Sequence, residues 1–320
     1  MNFYFAPLEG IGGYIYRNAH QRFFGNVDKY FAPFIAAGPE VHFHKREIRD
    51  VKPENNTGVP LVPQILTNHV QAFVETAKVL QEFGYEEVNL NLGCPSRTVV
   101  AKGKGAGFLA EPDRLDAFLE KIFAQVPMKI SVKTRLGVEN REEAGRLTEI
   151  FNQYPISELI IHPRIQKDYY HNEPDWAKFK EVLEVSKNPV CYNGNIFSTV
   201  DYQKFKEAFP TVDRVMLGRG ILANPGLIGE IIGQAAMSKE QVYEFHNYLL
   251  KEYRELFGND RNTLFKMKEL WCYLAHSFAD TKKYEKKIRK AEKMPMYLDT
   301  VNALFAECEL VHGARFTWKG

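Results

Sequence analysis

The sequence predicts an α/β fold, a closed (β/α)8 or TIM barrel followed by a small C-terminal helical domain. Three observations predict it. Short apolar runs recur about every thirty residues, and each is followed by an amphipathic stretch typical of a helix. Polar residues stand at the end of nearly every run, as in barrels that bind at the carboxyl ends of their strands. An open doubly wound sheet, the alternative, would concentrate those residues at one switch point.

The apolar runs give the order of the elements. Eight strands are predicted at residues 3–6, 34–37, 61–66, 87–91, 129–133, 159–162, 190–193 and 214–217. Helices are predicted between several of them at residues 69–83, 112–124 and 142–153. Alternating strands and helices form parallel β-α units, so residues 1–235 are predicted to be the barrel domain. The strand pattern then stops, and helices predicted at 239–257, 262–278 and 283–308 make residues 236–320 a second domain.

Composition excludes several classes of protein. The chain has 320 residues, of which 45% are hydrophobic and 26% charged, with a formal net charge of +2. The four cysteines have no C-x-x-C spacing, so we expect no zinc site and no disulfide framework. The sequence contains no signal peptide and no apolar run of membrane-spanning length, and a cytoplasmic location with no membrane contact is expected.

Cys94 is the predicted catalytic residue. It follows the fourth strand in the segment NLNLGCPS, at the rim where barrel active sites form. Gly93 lets the backbone turn there, and Pro95 restricts the backbone after the cysteine. A lone cysteine is more often a small buried apolar residue, and this interpretation is kept for Cys191, Cys272 and Cys308.

Lys133 ends the fifth strand and is predicted to face the barrel interior together with Ser131. A buried ammonium group needs an anionic partner, because an unpaired buried charge is costly. A reduced flavin, anionic at its N1–C2=O edge, would serve, and so would a carboxylate within the barrel. The residue alone does not favour either.

The last two strands predict a phosphate site. The seventh ends in Asn193, Gly194 and Asn195, and the eighth ends in Gly218 and Arg219. Barrels of this type bind phosphate in the loops after these two strands, where glycines expose backbone N–H groups and an arginine donates in bidentate fashion.

Three other strand ends add polar groups to the predicted flavin site. His162 and Arg164 follow the sixth strand and could reach either the phosphate or the substrate. Pro7, Leu8 and Glu9 end the first strand. Gln64, near the end of the third, has an amide that suits the O4/N3 edge of a flavin.

Taken together, these segments resemble the tRNA-dihydrouridine synthase family. The resemblance runs from Ala6 to about Pro225 and is carried, in order, by APLEG, PQIL, NLNLGCPS, KGKGAGFLAEPDRL, SVKTRLG, HPRIQKDYY…DW, NGNI and VMLGRGILANP. Two departures stand out. Leu8 replaces the usual methionine, and residues 34–38 lack the usual Thr-Glu, which puts substrate contacts near the second strand in doubt. The helical tail around 268–274 is most similar to members that modify U16.

The resemblance implies a cofactor, a reductant and roles for matching residues. FMN is the implied cofactor, NADPH the reductant and tRNA the partner, for a protein expected to be a monomer without metal. Cys94 matches the catalytic cysteine, and Asn91 and Arg135 match positions near the target uridine. The positions matching FMN contacts are Pro7, Leu8, Glu9, Gln64, Lys133, His162, Asn193, Gly194, Asn195, Gly218 and Arg219.

The implied reaction reduces the C5=C6 bond of a uridine, with hydride delivered to C6 and a proton from Cys94 to C5. An ordinary thiol, with a pKa of about 8.5, is mostly protonated at neutral pH, so a cysteine that donates a proton needs no activating base. Lys133 would stabilise negative charge on the reduced flavin.

A cationic stretch in the tail is predicted to contact RNA. A uridine in folded tRNA must be turned out to be reached, and binding then needs cations against phosphates. The segment 282–293 is rich in lysine, and Lys286, Lys287 and Lys290 are the predicted contacts together with Arg164 and Lys268. Lys266 and Trp271 are expected to join them. A charged helix is otherwise most often a solvated face.

Two other functions remain as alternatives. A dihydroorotate-dehydrogenase-like flavoprotein also has a cysteine after its fourth strand, but usually with Ser where Gly93 stands and without a basic tail. A flavin-bearing RNA-binding protein without a redox role would not need Cys94 and Lys133. The sequence leaves open which uridine is modified, whether the RNA is tRNA or rRNA, and whether NADPH or NADH is used.

Overall fold

A computed structural model describes residues 1–38, 43–311, 313 and 316 of the chain. Its sheet is built from short strands, most of them buried. The strands are β1 Asn2–Phe5, β2 Lys29–Phe31, β3 Ile35–Ala36, β4 Leu61–Val62, β5 Gln64–Leu66, β6 Glu87–Leu92, β7 Lys129–Gly137, β8 Leu159–Ile165, β9 Val190–Tyr192 and β10 Arg214–Leu217.

The strands close into a barrel. Their order is β3-β5-β6-β7-β8-β9-β10-β1-β2-β4. β2 and β3 are two pieces of one barrel strand, and β4 and β5 are two pieces of the next. β2 pairs with β4, and β3 pairs with β5. The two ends of the strand order therefore belong to neighbouring barrel strands, and the sheet closes on itself. The pairings between them are parallel. Eight barrel strands result, and the predicted fold class is confirmed.

Two predicted strands are each divided in the structure. The second was predicted only at residues 34–37, and its first half, β2, was missed because it has only three residues, begins with Lys29 and is separated from β3 by Pro33. The third is divided between β4 and β5 at Pro63, which has no N–H to donate to a ladder. β7 and β8 both extend beyond their predicted ends, to Gly137 and Ile165.

Fourteen α-helices lie in the described ranges. They are α1 Tyr14–Phe23, α2 Lys45–Val51, α3 Val70–Glu82, α4 Arg97–Val100, α5 Pro112–Gln125, α6 Glu143–Phe151, α7 Trp176–Val185, α8 Thr199–Ala208, α9 Arg219–Ala223, α10 Leu227–Ile231, α11 Lys239–Phe257, α12 Asp260–Leu274, α13 Lys282–Lys290 and α14 Met294–Glu307. No helix in this part of the chain is long and apolar enough to cross a membrane.

The chain forms two compact units. The first comprises Met1–Pro7, Lys29–Asn195 and Thr211–Met216, and it holds the barrel strands with helices α2 to α7. The second comprises Leu8–Asp28, Ile196–Pro210 and Leu217–Gly320, and it holds α1 and α8 to α14. The division into domains at residue 236 stays a prediction.

Charged residues lie together at the amino-terminal ends of the barrel strands. Lys29 donates to Glu87 Oε2 at 2.7 Å and to Glu158 Oε1 at 3.1 Å. The Tyr4 hydroxyl donates to the same Glu158 oxygen at 2.7 Å. These contacts engage the carboxylates at this end of the barrel, and the opposite, carboxyl ends carry the predicted site.

The second unit has its own core, built around a buried polar network. Trp271 Nε1 donates to the Tyr297 hydroxyl at 2.9 Å, and that hydroxyl contacts His246 Nε2 at 2.6 Å. Trp271 is only 2% exposed. The expectation that Trp271 contacts RNA is therefore wrong, since its ring packs inside the unit.

The helix predicted over residues 283–308 is two helices. α13 ends at Lys290 and α14 begins at Met294. Pro295 stands in the first turn of α14, where its missing N–H costs nothing. In a continuous helix Pro295 would lack the N–H donor for the Ala291 carbonyl and its ring would clash with that group, which accounts for the break.

Candidate active site

Asn91 holds the cysteine loop at the end of β6. Its Oδ1 accepts hydrogen bonds from the backbone N–H groups of Gly93, at 3.0 Å, and Cys94, at 2.9 Å. Its Nδ2 donates to Gln64 Oε1 at 2.7 Å. Both polar atoms of this buried amide are thus engaged in fixing the loop. The predicted contact between Asn91 and uridine remains a prediction beside this positioning role.

Gln64 belongs to a buried row of amides that crosses three strands. Its Nε2 donates to Asn89 Oδ1 at 2.7 Å, and Asn89 Nδ2 donates to Ser131 Oγ at 2.9 Å. The row fixes the orientation of each amide, because reversing one would place donor against donor.

The segment after Cys94 presses against the cysteine. Ala106 donates its N–H to the Cys94 carbonyl at 3.1 Å. Gly105 has φ +56°, and a Cβ there would lie 2.9 Å from the Cys94 carbonyl oxygen and 3.0 Å from the Cys94 Cβ. Only glycine allows both this backbone conformation and this approach. Gln166 completes the enclosure by donating to the Pro95 carbonyl at 3.1 Å. The Cys94 side chain is half-buried and is not part of a disulfide.

Arg135 connects the loops that follow β6 and β8. Its Nε donates to the Gly93 carbonyl at 2.9 Å, Nη1 to the Ile165 carbonyl at 2.9 Å, and Nη2 to the Tyr169 carbonyl at 3.0 Å. The guanidinium carbon lies 5.4 Å from the Tyr170 ring centroid. Three backbone bonds make Arg135 a clamp on the cysteine loop, and its predicted proximity to uridine stays a prediction.

Lys133 is a half-buried lysine next to this loop. It pairs in register with Asn91 on β6. Among the residues that the structure describes, no carboxylate forms an ion pair with it, and Glu87 and Glu158 are bound to Lys29 instead. Burial, with the charge of Arg135, lowers the pKa of Lys133 to about 7. The described part of the barrel therefore does not supply the anion that would keep this lysine charged.

His162 and Arg164 contact each other at the end of β8. Arg164 Nη1 donates to His162 Nε2 at 2.7 Å. An arginine N–H can only donate, so Nε2 of His162 is the acceptor in this contact. Arg164 Nε donates to the Asn172 carbonyl, and the side chain is 1% exposed. Arg164 accordingly orients the imidazole, and its predicted contact with RNA stays a prediction.

The loop after β9 presents close-packed backbone. Asn193 Nδ2 donates to the Met216 carbonyl at 2.8 Å, which ties this loop to β10. A Cβ at Gly194 would overlap the Tyr192 hydroxyl, which accepts a hydrogen bond from Trp176. Asn195 Nδ2 donates to Glu173 at 2.9 Å. Glycine at 194 is required here by this close approach.

Gly218 and Arg219 begin α9 in the second unit. A Cβ at Gly220 would overlap the Ile196 carbonyl, so α9 packs tightly against the start of the α8 segment. The Arg219 guanidinium carbon lies 5.4 Å from the centroid of the Phe197 ring. This packing fixes the base of the arginine side chain.

The loop after β1 is braced by α12. Leu8 accepts a hydrogen bond from the Gly12 N–H at 2.8 Å, while Glu9 is exposed. Lys266 donates to the Gly10 carbonyl and to Glu269. Lys266 therefore has a structural role in the second unit, whereas Pro7, which precedes the loop, belongs to the first.

The cationic face of α13 is exposed. Tyr284 and Ile288 point into the second unit, and Lys286, Lys287 and Lys290 point to solvent. Lys283 pairs with Glu307 at 2.9 Å, but no ion pair to those three lysines occurs within the described ranges. Lys268 on α12 is half-buried.

Several positioning residues are not apparent from the sequence. Gly105 stands in the KGKGAG motif without a predicted role of its own, and no role is predicted for Gln166 or Tyr170. The glycine repeat was the available signal for Gly105. Gln166 lies 71 residues from its partner Pro95, a separation that no local pattern reveals.

Comparison with known proteins places this arrangement in a family. Solved structures that are similar include morphinone reductase in complex with tetrahydroNAD, with a TM-score of 0.52, 11% identity and coverage of 74% of this chain and 88% of that one. Histamine dehydrogenase from Rhizobium sp. 4-9 has a TM-score of 0.56 at 11% identity, covering 77% of this chain and 46% of that one. At such identities the likeness shows the fold alone.

Sequence relatives are closer. The tRNA-dihydrouridine(16) synthase of Aquipseudomonas alcaligenes is 31% identical over 238 residues, which is 71% of this chain and 73% of the relative. The tRNA-dihydrouridine synthase B of Pasteurella multocida is 25% identical over 282 residues, covering 85% and 83%. The family model described as dihydrouridine synthase (Dus) matches residues 4–313, and the chain belongs to the dihydrouridine synthase family.

Proposed function

We propose that this protein is a flavin-dependent tRNA-dihydrouridine synthase that reduces the C5=C6 bond of a uridine in tRNA, using FMN and NADPH. Membership of the family supports the reaction class, and relatives named tRNA-dihydrouridine synthases support the substrate. The observation that carries the proposal is Lys133, a half-buried lysine beside the cysteine loop whose amine is desolvated and has no carboxylate partner in the described structure.

The residues fit a flavin. Lys133 would meet the anionic N1–C2=O edge of a reduced isoalloxazine, and such an anion would raise the pKa that burial now holds near 7. Gln64 and His162 offer further polar atoms at strand ends of the barrel. The phosphate would bind Arg219 and the backbone of the glycine-containing loops. The full proposed set is Pro7, Leu8, Glu9, Gln64, Lys133, His162, Asn193, Gly194, Asn195, Gly218 and Arg219.

Cys94 is the proposed general acid. When bound and reduced, FMN supplies the hydride that C6 of the uracil receives. Cys94 then gives its thiol proton to C5, which completes the addition of two hydrogens across the double bond. The loop contacts of Asn91, Arg135 and Gly105 hold the sulfur in place, which proton transfer over hydrogen-bond distance requires.

We propose U16 as the position modified, since several relatives carry that specificity in their names. Turning a uridine out of folded tRNA needs binding energy from the surrounding phosphates. The exposed Lys286, Lys287 and Lys290 on α13 would provide it, with Lys268 on α12.

The experiment is a reconstitution with purified protein, FMN, NADPH and tRNA transcribed without modifications. One dihydrouridine at position 16, detected by mass spectrometry of nuclease fragments, is expected. Orotate serves as the control substrate. Dihydrouridine at another position would correct only the specificity, whereas reduction of orotate with no dihydrouridine formed would reject the function.

A further inference from the structure

Two aromatic rings of the second unit lie against Arg219. Its guanidinium carbon is 5.4 Å from the Phe197 centroid and 5.6 Å from the Phe316 centroid, and the two rings are 5.6 Å apart. The two distances from the guanidinium carbon to the ring centroids fall within the roughly 6 Å over which a cation is attracted to a ring face. Arg219 therefore sits beside a pair of rings that come from segments far apart in the chain.

The segment after α14 brings Phe316 to this place. Its first part runs antiparallel to residues 277–279, with Ala279 N–H donating to Glu309 and Val311 N–H donating to Ser277, both at 2.9 Å. Phe316 itself is 5% exposed and packs with Phe197 and Ala223. Its position is thus fixed by burial against these side chains.

Other aromatic side chains fix the orientation of Phe316. Its ring stacks on Tyr273 of α12, with centroids 5.6 Å apart and planes inclined at 19°. The centroid of the His276 ring lies 4.8 Å away. A ring held in this way offers the guanidinium a stationary surface.

Such a surface matters for an arginine that binds phosphate. The guanidinium donates through N–H groups in its plane, so an aromatic ring on its face does not itself occupy those donors. The same contact restricts the rotamers of a long side chain that would otherwise lose much of its conformational freedom on binding. Preorganised donors bind more tightly without any new contact to the ligand.

We propose that Phe316 is a positioning residue for the cofactor phosphate, acting through Arg219. The inference rests on the proposed function, in which Arg219 binds the FMN phosphate. Phe316 touches the arginine and not the ligand, so its effect should be confined to ligands that carry the phosphate group.

Paired titrations with FMN and riboflavin test this, because riboflavin lacks the phosphate. Flavin is removed from the full-length protein, and the Kd for each flavin is measured by fluorescence quenching. Phe316→Leu fills the same apolar space without a π face. It should raise the Kd for FMN about 2- to 12-fold, which corresponds to the conformational cost of immobilising one long side chain on binding, and leave the Kd for riboflavin unchanged.

Two further variants frame the result. Phe316→Tyr keeps a ring and should bind FMN like the parent. Phe265→Ala removes a ring that is 64% exposed on α12, and it should leave both constants unchanged. Equal weakening of both flavins by Phe316→Leu would show a structural role and overturn the inference, as would no change in either.

The variant Arg219→Ala distinguishes failure of this inference from failure of the proposed function on which it rests. If Arg219→Ala does not reduce the preference for FMN over riboflavin, the phosphate assignment in the proposed function fails. If Arg219→Ala does reduce this preference, while Phe316→Leu binds FMN over riboflavin with the parental preference, only the role of Phe316 is rejected.

Discussion

Cys94 is held by an unusually complete set of backbone contacts. Asn91 accepts from its N–H, Ala106 donates to its carbonyl, and Arg135 and Gln166 bind the carbonyls on either side. A structural thiol would need burial but not such precise placement. A general acid does need it, because proton transfer depends on the distance to the reacting atom.

Gly105→Ala tests whether this placement matters. The new Cβ would meet the Cys94 carbonyl and Cβ in a left-handed conformation, so the cysteine loop must shift. We expect uridine reduction to fall at least about tenfold, as misplacement of a catalytic group costs up to about 10², with FMN content retained. Gly145→Ala on α6, where a Cβ meets nothing within 4 Å, is the matched control. Parental turnover in Gly105→Ala would show that the loop tolerates displacement.

The lowered pKa of Lys133 predicts how the stability of the flavin-free protein depends on pH. Burial lowers its pKa from 10.5 to about 7 in the flavin-free protein. Between these values the unfolded chain holds a proton that the folded chain lacks, so the stability of the folded state rises with pH across this window. Lys133→Met should remove that part of the rise, measured by urea unfolding of flavin-free protein at several pH values between the two pKa values. An identical slope in parent and variant would contradict the burial of an unpaired amine.

At the scale of elements, α13 presents two different faces. Tyr284 and Ile288 anchor it in the second unit, and its lysines point outward. Most charged helices are simply solvated, so the assignment to RNA needs a test that isolates the charges.

Reversal of Lys286, Lys287 and Lys290 to Glu provides that test. The affinity for tRNA should fall, and the slope of log K against log salt should decrease by roughly 0.7 to 0.9 for each phosphate that is no longer bound. NADPH oxidation without RNA should not change. The control reverses Lys121, Lys187 and Lys204, which are exposed elsewhere and give the same change in net charge. If both triple variants bind tRNA equally well, α13 is a solvated face.

Elements with an uninterrupted pattern were predictable from the sequence. β10 and α11 occupy the predicted ranges, residues 214–217 and 239–257, because both have clear periodicity and turn residues at their ends. β2 was missed because it has only three residues and begins with a lysine. The break between α13 and α14 was missed although Pro295 marks it.

Site residues, like helices and strands, could be predicted where a local sequence pattern marks them and not where their partners are distant in the sequence. Cys94 and Lys133 could be proposed because strand ends of a barrel converge, and their roles stay predictions. The roles of Arg135 and Gln166 in holding the cysteine loop could not, since their partners lie 42 and 71 residues away. Trp271 was misassigned because an aromatic among lysines resembles an RNA contact, whereas the fold places it in a core.

For the whole molecule, two buried histidines set the response to acid. His20 contacts the Pro225 carbonyl and His246 contacts Tyr297, both inside the second unit. Burial lowers the pKa of each to about 4. Below about pH 6.5 these two histidines bind protons in the unfolded chain but stay neutral in the folded chain. The free energy of unfolding therefore falls as the pH is lowered to about 4.

The expected decrease is about 2 kcal/mol per histidine between about pH 6.5 and pH 5. His246→Gln keeps an acceptor for the Tyr297 hydroxyl but does not titrate. It should be less stable than the parent at about pH 7.5 yet lose less stability on acidification to about pH 5, by urea unfolding at both pH values. A variant with the full parental acid sensitivity would show that His246 is not the source.

The central claim is that Cys94 donates the proton that completes uridine reduction, and single-turnover kinetics test it most directly. Enzyme reduced beforehand by NADPH is mixed with unmodified tRNA in the absence of NADPH, and reoxidation of the flavin is followed by the return of its visible absorbance. Cys94→Ala should retain FMN and its reduction by NADPH, but reoxidise on tRNA about 10²- to 10⁴-fold more slowly than the parent. Reoxidation of Cys94→Ala at the parental rate, with dihydrouridine formed, would contradict the account.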